Sequence, residues 1–234
     1  MQRVVKTEML DHLPVNDPLA VGSRRDLRLI NRLMGHKEIL AKVIRRGLGG
    51  KRSFRLLDIG AGDGLFGLRV LRSLGCVQTP CHVTFVDRLS AISKSHLITM
   101  ESLGWNHTIV ERDIFEWLED DDSHFDVCFA NLFLHHFQDD RLSEMLGLIR
   151  SRCDFFACTE PRRSAMGLMG VFCLPLLGCN RVTRNDARLS VHAGFRASEL
   201  SSLCRDDMGW ELTERPAGLF SHLFTASRVS HHEQ

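Results

Sequence analysis

No run in this 234-residue sequence reaches the ~20 consecutive apolar residues of a membrane-spanning helix. The opening Met1-Gln2-Arg3 begins no apolar secretion core. Its eight cysteines include no CxxC pair, and the spacings of Cys76/Cys81, Cys153/Cys158 and Cys173/Cys179 do not suit a zinc site. Neither sign of charge prevails, since 30 Lys and Arg oppose 29 Asp and Glu for a net charge of +1. Internal repeats and low-complexity tracts are missing as well. These absences exclude a membrane span, a disulfide scaffold, a zinc module and a disordered chain. What remains is 44% hydrophobic and 25% charged, with a mean hydropathy of -0.09. That is enough chain to bury a core without staples. The expectation is a soluble, cytoplasmic, one-domain protein with reduced thiols.

Charge is uneven along the chain. Residues 24–55 hold eleven Lys and Arg against Asp26 and Glu38, a local +9 that leaves the remainder at −8. Leu27, Ile30 and Met34 recur at helical spacing, as do Leu33, Leu40 and Ile44, so the segment reads as amphipathic helix. Gly35 interrupts it and the glycines at 47, 49 and 50 end it. Residues 1–50 are therefore expected to form a helical extension, and residues 51–234 the main domain.

From there strands and helices alternate. Short apolar runs at 54–59, 83–86, 107–110, 126–130 and 155–158 suit buried parallel strands. Helical stretches follow at 65–74, 91–103, 141–150 and 199–204, and 210–213 with 219–225 read as a closing hairpin pair. This is the pattern of a doubly wound α/β sheet. Residues 164–180 break the rhythm: they carry no charge and no histidine, and Gly167, Gly170 and Pro175 interrupt them. They form either a buried helix with its turn or an apolar lid, part of an insertion at about 164–193.

The most informative stretch runs from Leu56 through Asp58, Gly60, Ala61 and Gly62 to Gly64. A strand entering alternating glycines and then a helix lets backbone approach a ligand closely. A pyrophosphate would want N–H groups and no anion there. This turn instead holds Asp58 and Asp63, with no Lys or Arg, which suits a cationic guest bearing an ammonium and a sulfonium. Asp87 follows the last turn glycine by 23 residues, the spacing of an acid that accepts from ribose hydroxyls. Asp113, after the third strand, can accept from an adenine amino group while Ile114 packs on the ring. Singly, each acid is as well explained as a turn or helix cap.

As a set, LLDIGAGDG, FVDR, ERDIF and FDVCFANLFLHHF resemble the ordered motifs of the class I S-adenosylmethionine-dependent methyltransferases over roughly residues 54–160. The resemblance implies a mostly parallel seven-stranded sheet and S-adenosylmethionine as cofactor. It implies that Gly60, Gly62 and Gly64, with Ala61, line that cofactor and that Asp58 lies near its methionine end. Asp87 with Arg88, Asp113 with Ile114, and Asn131 with Leu132 complete the implied contacts. The LHH ending resembles small-molecule enzymes of the quinone-biosynthesis type. SRRDLRLINRLMG and RNDARLSVHAGF resemble bacterial methyltransferases of aromatic polyketide pathways.

The expected reaction is methyl transfer to a small, apolar, aromatic hydroxyl compound, with oxygen favoured and carbon and nitrogen open. A phenol gains from a general base, most often histidine. The candidates are His135 and His136 after strand four, His192 in a late loop, and Glu160 after strand five; Arg184 and Asp186 are weaker candidates. Each has a bland alternative: helix-start hydrogen bonding for the paired histidines, a surface position for His192, and an ion pair for Glu160. No metal is expected, because the acidic run at 119–122 reads as a solvated loop rather than converging ligands. The rival function is RNA methylation through the basic segment at 24–55. A third reading docks that segment on anionic lipid.

Overall fold

The computed structural model describes residues 1–75, 80–204 and 209–229. Cys76 lies outside the described residues. The seven described cysteines are all free thiols, five of them buried.

Two helices open the chain after a 3-10 turn at Leu10–His12. Helix α1 (Pro18–Met34) starts from Asp17, whose side chain accepts the Leu19 N–H, with proline in its first turn. It stops at Gly35, and α2 (His36–Gly47) follows. Only α2 is sunk in the core, through Leu40, Val43 and Ile44. The expected interruption at Gly35 is therefore present, and the two halves part roles there.

The sheet has seven strands among the described residues, in the order β3-β2-β1-β4-β5-β7-β6. Strands β1 (Phe54–Ile59), β2 (Cys81–Asp87), β3 (Trp105–Glu111), β4 (Phe125–Asn131) and β5 (Cys153–Pro161) are parallel. Strands β6 (Trp210–Ala217) and β7 (Ser221–Arg228) form the hairpin, with β7 inserted antiparallel beside β5. Between the parallel strands run α3 (Leu65–Ser73), α4 (Lys94–Ser102), α5 (Ile114–Asp120) and α6 (Asp139–Arg152). The sequence expectation of a mostly parallel, doubly wound sheet is met.

Alternation explains why the central strands read as continuous apolar runs. Leu56, Val127, Phe129, Phe155 and Ala157 face one core with α2, α3 and α4. Their neighbours Leu57, Cys128, Ala130, Phe156 and Cys158 face the other, with α5 and α6. Both faces are covered, so both residue sets must be apolar. The edge strand β6 instead alternates exposed and half-buried residues.

Three expectations change. The helix expected from residue 91 begins at Lys94, because Ser93 accepts the His96 N–H and caps it there. The uncharged stretch is not a buried helix: α7 (Ala165–Cys173) and a 3-10 turn at Leu174–Leu177 leave Met169, Phe172 and Leu176 in solvent. The late loop expected around His192 is helix α8 (Arg181–Ala193); α9 (Glu199–Leu203) follows it.

Candidate active site

The chain reverses its winding between β1 and β4, and in such sheets a crevice opens beyond the carboxyl ends of the strands. Here that crevice is a cavity of about 870 Å³. Its floor is the turn after β1. The Gly60 and Ala61 N–H groups both donate to the Val86 carbonyl, at 2.9 and 3.2 Å. Gly60 has φ 70° and Gly62 φ 56°. A side chain at Gly60 would also meet the Phe133 ring, since its Cβ would fall 2.3 Å from that ring.

Asp58 is the decisive residue of this floor. It is 3% exposed, and its Oδ2 has no hydrogen-bond partner. A Cβ on Gly67 would lie 2.2 Å from that oxygen, so glycine is what lets α3 pass so close. Burial pushes the carboxyl well above the usual carboxylate range, and the nearby charges of Asp87 and Asp63 push it further. An orphaned buried acid of this kind is costly in a protein without a counter-charge. It faces a cavity in which a cation would satisfy it.

The other acids are partly committed. Asp87 accepts the Gly62 N–H at 2.8 Å through one oxygen and the Leu89 N–H at 3.0 Å through the other. Asp63 pairs with Arg28 of α1 at 2.6 Å, which fastens the N-terminal extension onto the glycine turn. Asp113 accepts the Phe115 N–H at 2.9 Å and so caps α5, yet it also lines the cavity. Cap and cavity wall are both true of it. Asp58, Gly60, Ala61, Gly62, Asp87 and Arg88 line the same space, as do Ile114, Asn131 and Leu132. Gly64 does not: it starts α3, with Ile92 packed within 3.1 Å of where its Cβ would be.

Asn131 is held from three sides. Its Oδ1 accepts from Thr159 at 2.8 Å and lies 2.7 Å from His36 Nδ1, while its Nδ2 donates to Asn31 Oδ1 at 3.0 Å. His36 is buried, and burial drives it down to about 4, so the ring is neutral. Assigning the proton to Nδ1 lets Nε2 accept from the Ser221 hydroxyl at 2.7 Å. Leu132 adopts φ 53°, which costs a non-glycine residue about 1–2 kcal/mol. Its N–H is held on the Thr159 carbonyl at 2.9 Å.

The histidine pair separates. His135 is buried with Nδ1 2.7 Å from Glu160 and Nε2 3.4 Å from Glu8. Burial alone would depress it, but the two carboxylates overcome that and raise it to about 9. Its carboxylate partners favour the protonated ring, which disfavours the base role expected of it. His136 lines the cavity, partly exposed, with Nδ1 3.4 Å from Asp11. Glu160 is corrected too. It is fully buried, does not line the cavity, and accepts the N–H groups of Phe133, Leu134 and His135 at 3.0, 2.9 and 3.3 Å. Burial raises its carboxyl, but His135 and these N–H groups bring it below the usual carboxylate range. It builds the turn that carries the histidines.

His192 is also displaced from the acceptor side. It does not line the cavity, and its carbonyl accepts the Val4 N–H at 3.1 Å. Asp186 accepts the Met9 and Leu10 N–H groups, both at 2.9 Å, and Arg184 points away in solvent. These contacts expose what sequence reasoning missed. Residues 1–17 form a strap across α8, and it brings Glu8 and Asp11 to the cavity wall. Neither carries a local motif that could have marked it. Glu8, His135 and His136 put three potential metal donors within 4.8 Å of one another. Both nitrogens of His135 already face carboxylates, so ion pairing accounts for the grouping.

Residues 56–153 match the model of a family described as a methyltransferase domain. Over that stretch the chain carries a methyltransferase domain. No curated protein matches the chain. Among solved structures, the plantazolicin methyltransferase BpumL, in complex with a monoazolic desmethyl analogue and S-adenosylhomocysteine, is 13% identical with a TM-score of 0.63, over 91% of each chain. An O-methyltransferase family protein from Burkholderia thailandensis is 16% identical, TM-score 0.58, over 93% of this chain and 64% of that one. The CurJ carbon methyltransferase is 19% identical, TM-score 0.57, over 83% and 54%. At these identities the methyltransferase domain is shared as a fold.

Proposed function

We propose that this methyltransferase moves the methyl group of S-adenosylmethionine to a small, apolar, aromatic hydroxyl compound. The observation that carries the reading is Asp58, a buried carboxyl whose Oδ2 has no partner, on the floor of an acidic, glycine-lined cavity. When bound, the cofactor supplies a methyl group on a positively charged sulfur that leaves as a neutral thioether. Asp58 would face the ammonium, Asp87 the ribose hydroxyls, and Asp113 with Ile114 the adenine.

The acceptor would occupy the rest of the cavity. Its walls there are Leu27, Ile30 and Met34 of α1, Val171 of α7 and Leu174 after it. Such walls bind an apolar ring and keep water from the reacting atoms. Holding nucleophile and methyl group in line can supply much of the acceleration. The acceptor O–H must lose a proton as its oxygen bonds to carbon. His136, with Asp11 behind Nδ1, is the polar group best situated to take it, because His135 is committed to Glu160 and Glu8. The basic face of α1 fits this reading better than RNA methylation: Arg28 is tied to Asp63, and the apolar face of the helix lines the cavity.

Mass-spectrometric screening of phenols and hydroquinones with S-adenosylmethionine tests the reading. A product heavier by one methylene is expected with at least one of them. The variant H136A is expected to lower single-turnover rates by about 10²-fold or more and to flatten the pH profile, with cofactor affinity kept. Methylation of RNA and of no small compound would overturn the reading.

A further inference from the structure

Helix α7 is apolar all round. Gly167, Val171 and Leu174 turn toward the cavity, whereas Met169, Phe172 and Leu176 are 60%, 81% and 86% exposed. Met166, Met169 and Phe172 recur at three-residue spacing and so share one face. Leu219, in the β6–β7 turn, is 61% exposed. The adjacent Phe220 ring lies 3.0 Å from where a Cβ on Gly170 would be, so that turn extends the same surface. A soluble surface rarely leaves such a patch open without use for it.

The surroundings indicate what covers it. Helix α8 packs against both α7 and α1. Its exposed face presents Arg181, Arg184 and Arg188, and α1 adds exposed Arg25 and Arg32. None of these five makes an ion pair among the described residues. The acids of the same two helices are occupied inward. Asp26 accepts from the Asn180 N–H and the Thr183 hydroxyl, both at 2.8 Å, and Asp186 holds the strap. The result is an apolar face on α7 beside a helix, α8, whose three exposed arginines are not neutralised. Two copies of this chain meeting face to face through it would bring like charges together. An anionic bilayer matches both parts: acyl chains take the Phe and Leu side chains, and phosphates take the guanidinium groups.

We propose that the outer face of α7, with the turn after it, seats on an anionic lipid bilayer and sets the cavity against the membrane surface. An apolar acceptor then passes from lipid to cavity along α7 without crossing water. The surface stands apart from the assignment of the reaction, since vesicle binding requires no turnover.

Co-sedimentation of the full chain tests it, with vesicles of phosphatidylcholine alone and with about a quarter phosphatidylglycerol. Partitioning should be about tenfold or more stronger on the anionic vesicles and fall steeply at about 1 M salt. The double variant F172S/L176S should reduce it about tenfold. Neither residue lines the cavity, so its S-adenosylhomocysteine affinity by calorimetry should stay unchanged, which also checks folding. The triple variant R181A/R184A/R188A should bind anionic vesicles no better than neutral ones. Equal sedimentation with both lipids, or anionic binding indifferent to F172S/L176S, would overturn the proposal. So would a dimer in solution that F172S/L176S dissociates while vesicles go unbound, because the surface would then belong to a second copy.

Discussion

Under the proposed function, Asp58 sets stability against cofactor binding at a single side chain. Its unpartnered Oδ2 is a liability in the unliganded protein. The isosteric D58N keeps the shape and removes the cost of holding an ionisable carboxyl away from water. It is expected to raise the Tm of the unliganded protein by a few degrees and to weaken S-adenosylmethionine binding by about tenfold or more. A melting curve and a titration on the same sample check both directions. His135 supplies a second test. Because its folded value, about 9, lies above the ordinary 6.5, the stability it contributes is complete below pH 6.5 and lost as pH rises through about 9. Glu160 and Glu8 act oppositely, being depressed in the fold, so their contribution is present above the ordinary carboxylate value and lost in acid. Urea titrations from pH 6 to 10 should therefore show declining stability over the His135 window. Breaking the pair with E160Q leaves the buried His135 ring with Glu8 alone, and its expected cost of about 3 kcal/mol corresponds to a Tm fall of roughly 6–12 °C. A Tm within a degree of the parent would contradict the ion-pair account.

At the scale of elements, what could be read in the sequence was what is local. The strand, glycine turn and helix at 54–73 lie within one contiguous stretch, so apolar run, turn chemistry and helix start all speak at once. The strap had no such signal. It is irregular, apart from one 3-10 turn, and its value comes from partners far along the chain: Glu8 meets Ser190 and His135, and Asp11 meets His136. Arg3 is its main fastener, donating to the Ala193 carbonyl at 2.8 Å and the Phe137 carbonyl at 2.8 Å, and pairing with Asp139 at 2.6 Å. R3A is expected to speed proteolytic cleavage within residues 1–17 several-fold, read by limited proteolysis, with cofactor affinity little changed. An unchanged cleavage rate would mean that the strap is held without Arg3. Glu160 misled for a related reason. Its place at a strand end suggested the acceptor. Only the β4–β5 register, with Asn131 beside Thr159, shows that it points under the following turn instead.

For the molecule as a whole, periodicity and the alternation of strand and helix were enough to give the doubly wound sheet. The insertion of β7 beside β5 is a long-range pairing that no pattern in residues 210–228 announces. The two-faced core explains the success: Leu56 and Leu57, adjacent in sequence, serve opposite layers, and both are written as apolar. Position at the crevice could be foreseen once the strands were ordered, but commitment of each side chain could not. His135 and His136 differ by one residue and both reach the cavity wall, yet only His135 is buried between two carboxylates. The proposed function requires the acidic glycine turn to accept a cation and not a phosphate. Isothermal titration of the purified chain with S-adenosylmethionine and, separately, with NADH measures this directly. One equivalent of S-adenosylmethionine binding at micromolar affinity, weakened by D58N, with no heat from NADH, is the predicted result; NADH binding in its place would contradict it.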